Sequence, residues 1–175
     1  MMQRQGYLLG LGSNISPQDN MAAMVTALVR EFGELNISRV LKIPPVGMNS
    51  YRDFLNTIIF VETDLPQSEL KVFCNQIETQ LGRDRDDPLS KTKDRPADID
   101  ILCSLKLPDE AEITVSSVTD EYFLYPIIRE LLGYLTETAE VTPPEGVLIK
   151  TSHLSFGETA TTIYWNGSAS NKGVF

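Results

Sequence analysis

The chain has 175 residues, a formal net charge of −9 at pH 7, 42% hydrophobic and 22% charged side chains. This suits one domain spanning residues 1–175 with a core of its own, and no run nears the roughly 18 apolar residues of a membrane span. The acidic balance argues against a general nucleic-acid binder, which needs a basic footprint.

Met-Met-Gln-Arg-Gln-Gly leads into the first strand with no signal-peptide apolar region. Gly6 to Gly12 reads as a short buried strand. Pro17 to Phe32 reads as a helix, with Pro17 in its first turn, Met21, Met24, Val25 and Leu28 at helical spacing, and Gly33 as its cap. Ile37 to Ile43 is a strand candidate, and Pro44-Pro45-Val46-Gly47 forces a loop. Phe54 to Glu62 is β-branched and aromatic, hence a strand. Ser68 to Leu81 is a helix with an apolar stripe of Leu70, Phe73, Cys74, Ile77 and Leu81, terminated by Gly82. Asp98 to Leu105 is a strand, Tyr125 to Leu135 a third helix, and the remainder short strand and tail. The order β-α-β-β-α-β predicts an α+β sandwich with helices packed on a largely antiparallel sheet. Cys74 and Cys103 fall within apolar patterns, so buried free thiols in a reducing cytoplasm are expected.

Chemistry concentrates at Arg95-Pro96-Ala97-Asp98-Ile99-Asp100-Ile101. On a strand, Asp98 and Asp100 share one face and Ile99 and Ile101 the other. Adjacent carboxylates raise one another's pKa unless a cation lies between them, and oxygen-only ligands favour Mg²⁺ or Mn²⁺. An exposed strand end whose acids meet only solvent fits the same spacing. Residues 83–95, just upstream, hold five bases (Arg83, Arg85, Lys91, Lys93, Arg95) and four acids, whereas residues 106–145 hold nine acids and two bases. The first segment offers donors to a polyanion, or else is a solvated connector. Gly10-Leu11-Gly12-Ser13-Asn14-Ile15 lacks the third glycine of a dinucleotide fingerprint and the Gly-Lys-Ser/Thr of a P-loop. Gly12-Ser13-Asn14 is expected as a tight strand exit, glycine at positive φ and Asn14 bonding its own backbone.

Gly-Ser-Asn after the first strand, Pro44-Pro45-x-Gly47, Asp53-Phe54-Leu55-Asn56, Ile77-Glu78-x-x-x-Gly82-Arg83 and Arg95-x-x-Asp98-x-Asp100-Ile101 occur in that order. Together they resemble the 6-hydroxymethyl-7,8-dihydropterin pyrophosphokinases of folate biosynthesis, over about residues 7–105. The resemblance implies a ferredoxin-like three-layer α+β sandwich and transfer of the β,γ-pyrophosphoryl unit of ATP to the pterin hydroxymethyl group, releasing AMP. It implies two Mg²⁺ ions on Asp98 and Asp100, with Arg83 and Arg95 joining them in catalysis. ATP contacts would come from Asn75, Glu78, Arg85, Arg95, Ile101 and Thr114; Glu78 as a solvated helix residue is the other possibility. Pterin contacts would come from Pro45, Val46, Phe54, Asn56 and the Tyr122-Phe123 pair, with Tyr122 in register; core placement of these aromatics, Phe123 above all, is the other possibility. ATP and a pterin are the implied partners, without nucleic acid or membrane, and the protein is expected as a cytoplasmic monomer or weak homodimer. The sequence departs from the family at Glu112, where an arginine is usual, and at Ser116–Glu121, which lacks the usual histidine. The loop tryptophan is also missing, with Thr92 or Lys93 near its place, and Ile43 replaces a threonine. A divergent relative that binds pterin or nucleotide without transfer is the alternative.

Overall fold

The computed structural model describes residues 3–138 and 144–166. Met1 and Met2, residues 139–143 of the acidic stretch, and the tail beyond residue 166 lie outside them.

The first strand is β1 (Arg4–Ser13), and the helix that follows, α1 (Pro17–Phe32), has the predicted bounds. Met21, Met24, Val25, Leu28 and Val29 are buried along one face of α1, and Gly33 at φ 83° ends it. The single strand expected over 37–43 is instead two, β2 (Glu34–Ile37) and β3 (Leu41–Ile43), both paired with β4 (Phe54–Glu62). The break has a polar cause. Ser38 Oγ accepts from Ile58 N at 2.9 Å and contacts Thr57 Oγ1 at 3.0 Å, while Arg39 N donates to Glu130 Oε1 at 3.0 Å. Side-chain partners thus interrupt the ladder at Ser38 and Arg39, and Val40 turns to the later chain, its N donating to Gly157 O at 2.9 Å and its O accepting from Val147 N at 2.8 Å.

Helix α2 (Gln67–Gln80) leads to β5 (Asp98–Leu107). A four-residue helix, α3 (Val115–Val118), and a 3₁₀ turn over Tyr122–Leu124 precede α4 (Tyr125–Thr136). The strands β6 (Ile149–Lys150) and β7 (Ser155–Phe156) form a separate pair, and β8 (Thr161–Tyr164) joins the main sheet. The sheet order is β5-β1-β4-β2-β8, antiparallel throughout. Its first four strands follow the arrangement of a ferredoxin-like sandwich, and β8 is an added edge.

Alternation along the strands builds two cores. Leu9, Leu11, Ile59, Val61 and Ile99 meet α1 and α2 on one face. Leu8, Ile58, Phe60, Leu105 and Leu107 meet α4 on the other. At roughly 1.5–3 kcal/mol per fully buried large aliphatic side chain, these two layers dominate the folding energy. Glu130 of α4 fastens the later chain by pairing with Arg39 Nε at 2.9 Å and accepting Ala160 N at 3.1 Å.

Candidate active site

One irregularity aims the acid pair. In the β1–β5 register Leu8 faces Cys103 but Leu9 faces Ile101, so Leu102 is an extra residue, a β-bulge. The bulge reverses the alternation: Leu105 and Leu107 belong to the α4-side core, and before the bulge Asp98 and Asp100 occupy that same side. Ile99 and Ile101 point the opposite way, into the α1/α2 core.

Across the ladder, Asp98 faces Gly12 and Asp100 faces Gly10. Neither glycine has positive φ, which corrects the expected turn role of Gly12. Gly12 is required for close approach, because a Cβ there would lie 2.8 Å from Asn56 Nδ2 and 3.6 Å from Phe54 Cδ1. Gly12→Ala should therefore displace the Asn56 amide and destabilise the fold by about 1 kcal/mol, the low end for overpacking because the clash falls on the end of a side chain, read from the denaturant midpoint. An unchanged midpoint would contradict the packing. Asn14 likewise does not bond its own backbone. Its Oδ1 accepts Arg95 N at 2.7 Å, its Nδ2 donates to Asp94 Oδ1 at 2.9 Å, and its own N donates to Arg95 O at 3.1 Å. Asn14 clamps the end of the cationic loop to the exit of β1.

Asp98 is the hub of that loop. Its Oδ1 accepts from Arg83 Nη1 at 3.3 Å and Arg85 Nη2 at 3.1 Å, and its Oδ2 from Arg95 Nη1 at 3.4 Å. Arg83, expected as a phosphate fork, is a buried tie with its side chain 4% exposed, donating also to Ala97 O and Ser90 O. Glu78, expected to meet nucleotide, is 1% exposed, which excludes the solvated reading. It takes both forks of Arg85 at 2.6 Å and accepts Ile99 N at 2.7 Å, so it orients Arg85 and has no oxygen turned to a ligand. This pairing, opposed by burial, raises Arg85's already high pKa. Arg95 stands with its Cζ 5.8 Å from the Phe54 ring centroid and donates to Lys91 O. The Nε atoms of Arg83 and Arg95 are buried without an acceptor, and such orphaned donors are costly until one arrives.

Asp100 is less supported. Burial and the Asp98 carboxylate push its pKa up to about 7 against the pull of Arg85. With 45% of the side chain open, water screens part of that effect. Arg85 Nη2 lies 3.1 Å from Asp98 Oδ1 and 3.7 Å from Asp100 Oδ1, where a cation relieves the pair. The donor set fits Mg²⁺: two carboxylates on one face, all oxygen. Among the described residues no three His, Cys, Asp or Glu side chains gather as a cage, and Mg²⁺ characteristically takes one or two carboxylates with substrate phosphates completing its shell.

Beside the acids is a cavity of about 130 Å³ lined by Phe54, Asn56, Phe123, Val46, Arg95, Lys91, Asp98 and Glu121, among others. Phe54 and Phe123 both line it, and the expected register had put Tyr122 of the Tyr122-Phe123 pair in the second place. Tyr122, expected as the second aromatic face, is 65% exposed and meets Phe123 edge-on, with centroids 5.8 Å apart. The 3₁₀ turn rotates successive side chains by about a third of a circle, so the neighbour enters. Phe123→Ala should weaken binding of a flat heterocycle about tenfold or more while Tyr122→Ala changes it little; fluorescence titration reads this, and the reverse order would contradict it.

The other expected contacts do not line this cavity. Pro44 and Val46 line it, and Pro45 does not. Asn75 lies in a groove on α2 with Val72, Gln76 and Thr79. Thr114 is exposed at the start of α3, in a separate depression with Glu112 and Arg129. Ile101 packs partly buried against the α1/α2 core. Glu121, which burial and Asp98 push to a higher pKa against Arg95, went unnoticed in the sequence. Its neighbours Asp120 and Tyr122 offered no periodic signal.

An acid pair fit for a divalent cation, among arginines and beside an aromatic-walled cavity, is equipment suited to phosphoryl transfer. The family model described as 7,8-dihydro-6-hydroxymethylpterin-pyrophosphokinase matches residues 8–127, and the chain belongs to this family. A 2-amino-4-hydroxy-6-hydroxymethyldihydropteridine pyrophosphokinase of Bacillus subtilis (strain 168) is 33% identical over 97 residues, 54% of this chain and 56% of that protein. Proteins of the same description from two strains of Porphyromonas gingivalis are each 32% identical over 96 residues, 54% of this chain and 65% of theirs. The match thus spans less than two thirds of these relatives' length. Every cavity residue named here falls within the family match, whereas most of α4 and all of β6 to β8 lie beyond it.

Proposed function

We propose that the chain transfers the β,γ-pyrophosphoryl unit of ATP to the hydroxymethyl group of 6-hydroxymethyl-7,8-dihydropterin, releasing AMP, as a step of folate biosynthesis. The observation that carries this is that Asp98 of the acid pair and its partner Arg95 line the same cavity as Phe54 and Phe123, in a chain of this family. The heterocycle lies between the two rings with Asn56 at its edge. The alcohol arm points to the Asp98 and Arg95 end. There the alcohol oxygen bonds to the β-phosphorus and gives up its proton to solvent, while the bond from that phosphorus to the oxygen bridging the α-phosphate breaks, and AMP leaves with the bridging oxygen.

The residues act mainly by positioning and by charge. Arg95 and Lys91 donate to phosphate oxygens from the cavity side. Arg85, drawn from between the carboxylates, does so from the other, while Arg83 and Glu78 hold the frame. Asp98 and Asp100 would hold Mg²⁺, two ions by family resemblance, and a bound ion would neutralise phosphate charge. Asn75, Ile101 and Thr114 remain proposed nucleotide contacts outside the cavity. We place the protein in the cytoplasm as one domain, a monomer or weak homodimer; among the described residues no helix is long and apolar enough to cross a membrane.

Phosphorus NMR of the protein with ATP, Mg²⁺ and the pterin tests the bond assignment. The expected products are AMP and a pyrophosphate ester on the pterin. ADP or free pyrophosphate in their place would contradict it.

A further inference from the structure

One carboxylate on the cavity wall is left without a hydrogen-bond donor by the fold. Asp98 and Glu121 both line the cavity. The oxygens of Asp98 are taken up by Arg83, Arg85 and Arg95 at 3.1–3.4 Å. The Glu121 carboxylate accepts no hydrogen bond from any described residue, although its backbone is fixed on both sides. Glu121 N donates to Thr119 Oγ1 at 3.1 Å, and Leu124 N donates to Glu121 O at 2.9 Å, closing the 3₁₀ turn that carries Phe123. The turn thus presents the Phe123 ring and the Glu121 carboxylate to the same cavity.

The carboxylate shares the cavity wall with Asp98 and Arg95, the charges of the reacting end. A heterocycle held by Phe54, Phe123 and Asn56 must turn its alcohol arm to that end. There Arg95 and Lys91 are donors and suit phosphate oxygens. An alcohol O–H needs an acceptor instead, and the oxygens of Asp98 already serve three guanidiniums and the proposed ion. A hydrogen bond to an ionised carboxylate is among the strong ones. A site built to bond a substrate hydroxyl rejects the analogue that lacks it.

We propose that Glu121 is a specificity-determining residue whose carboxylate accepts the hydrogen bond of the substrate's hydroxymethyl O–H and turns that oxygen toward the phosphoryl group to be attacked. This rests on the pyrophosphokinase reading of the site.

Equilibrium titration of the full chain, with Mg²⁺ and an unreactive ATP analogue, compares 6-hydroxymethylpterin with 6-methylpterin. Wild type should bind the alcohol about tenfold or more tighter than the methyl analogue. Glu121→Ala should bring the two affinities within about twofold, with that for 6-methylpterin unchanged. Glu121→Gln, whose amide oxygen still accepts, should fall between. A wild type that does not distinguish the ligands, a preference that survives in Glu121→Ala, or an equal loss for both ligands would overturn the role of Glu121 while leaving the pterin site standing. Failure of wild type to bind either pterin would instead refute the proposed function, and this inference with it.

Discussion

Asp98→Ala should abolish turnover and destabilise the protein, whereas Asp100→Ala should abolish turnover and leave the fold as stable or more so. Both carboxylates are proposed to hold the ion that brings ATP into place, so each loss should lower kcat on the order of 10³-fold or more. Their structural surroundings differ. Asp98 receives Arg83, Arg85 and Arg95, and the Arg83 side chain is only 4% exposed. Removing the partner of a buried charge leaves it uncompensated, at a cost of about 2–4 kcal/mol here because Arg83 keeps its two carbonyl acceptors. For a chain of this size that corresponds to a fall in Tm of about 5–10 °C. Simple relief of repulsion between two acids would predict stabilisation at either position, and the three guanidiniums on Asp98 reverse that expectation for one of them. Asp100 has a folded pKa of about 7 against an ordinary 3.8. Between those values the folded protein holds a proton that the unfolded chain has released, so metal-free wild type should lose stability as pH rises through that window. Asp100→Asn should flatten the slope. Thermal melts in a chelating buffer, with steady-state kinetics in Mg²⁺, read all of this. Wild-type turnover in both variants would refute the metal assignment, and equal melting of the two would refute the hub.

Arg95→Ala should lower kcat by about 10²-fold or more and weaken pterin binding far less. The side chain joins the two halves of the site, with Nη1 3.4 Å from Asp98 Oδ2 and its guanidinium carbon 5.8 Å from the Phe54 centroid. A donor whose contact strengthens as charge develops on the transferred group acts on the transition state more than on the bound substrate. Arg95→Lys should recover only part of the loss, since an ammonium cannot hold Asp98 and a phosphate oxygen in the planar geometry of the fork. Pre-steady-state kinetics with a separate pterin titration separates the effects. Equal losses in kcat and pterin affinity would make Arg95 a wall of the cavity and not a group acting in transfer.

The elements whose signals are local were legible from the chain alone. α1 begins at Pro17 and ends before Gly33, and β4 runs from Phe54 to Glu62, because helical spacing and β-branched runs are written in consecutive residues. The face shared by Asp98 and Asp100 was legible for the same reason. What was not legible depends on partners far along the chain. The split at Ser38–Val40 depends on Glu130, Val147 and Gly157, and β8 exists because Leu35 finds Ile163 as its partner. The extra residue at Leu102 is invisible until β1 sets the register. Within the site, cations and acids were found by type, but their division of labour was not. Whether Glu78 faces solvent, ligand or Arg85 depends on where the loop after Gly82 folds back. The choice of Phe123 over Tyr122 turns on one residue of rotation in a 3₁₀ turn.

The alternative to the proposed reaction is a relative that binds pterin or nucleotide without transfer. AMP release from ATP and Mg²⁺, measured with and without 6-hydroxymethyl-7,8-dihydropterin, separates the two most directly. The account predicts AMP in amounts that match the pterin added and essentially none in its absence. Wild-type protein that binds both ligands with Mg²⁺ present and releases no AMP would contradict it.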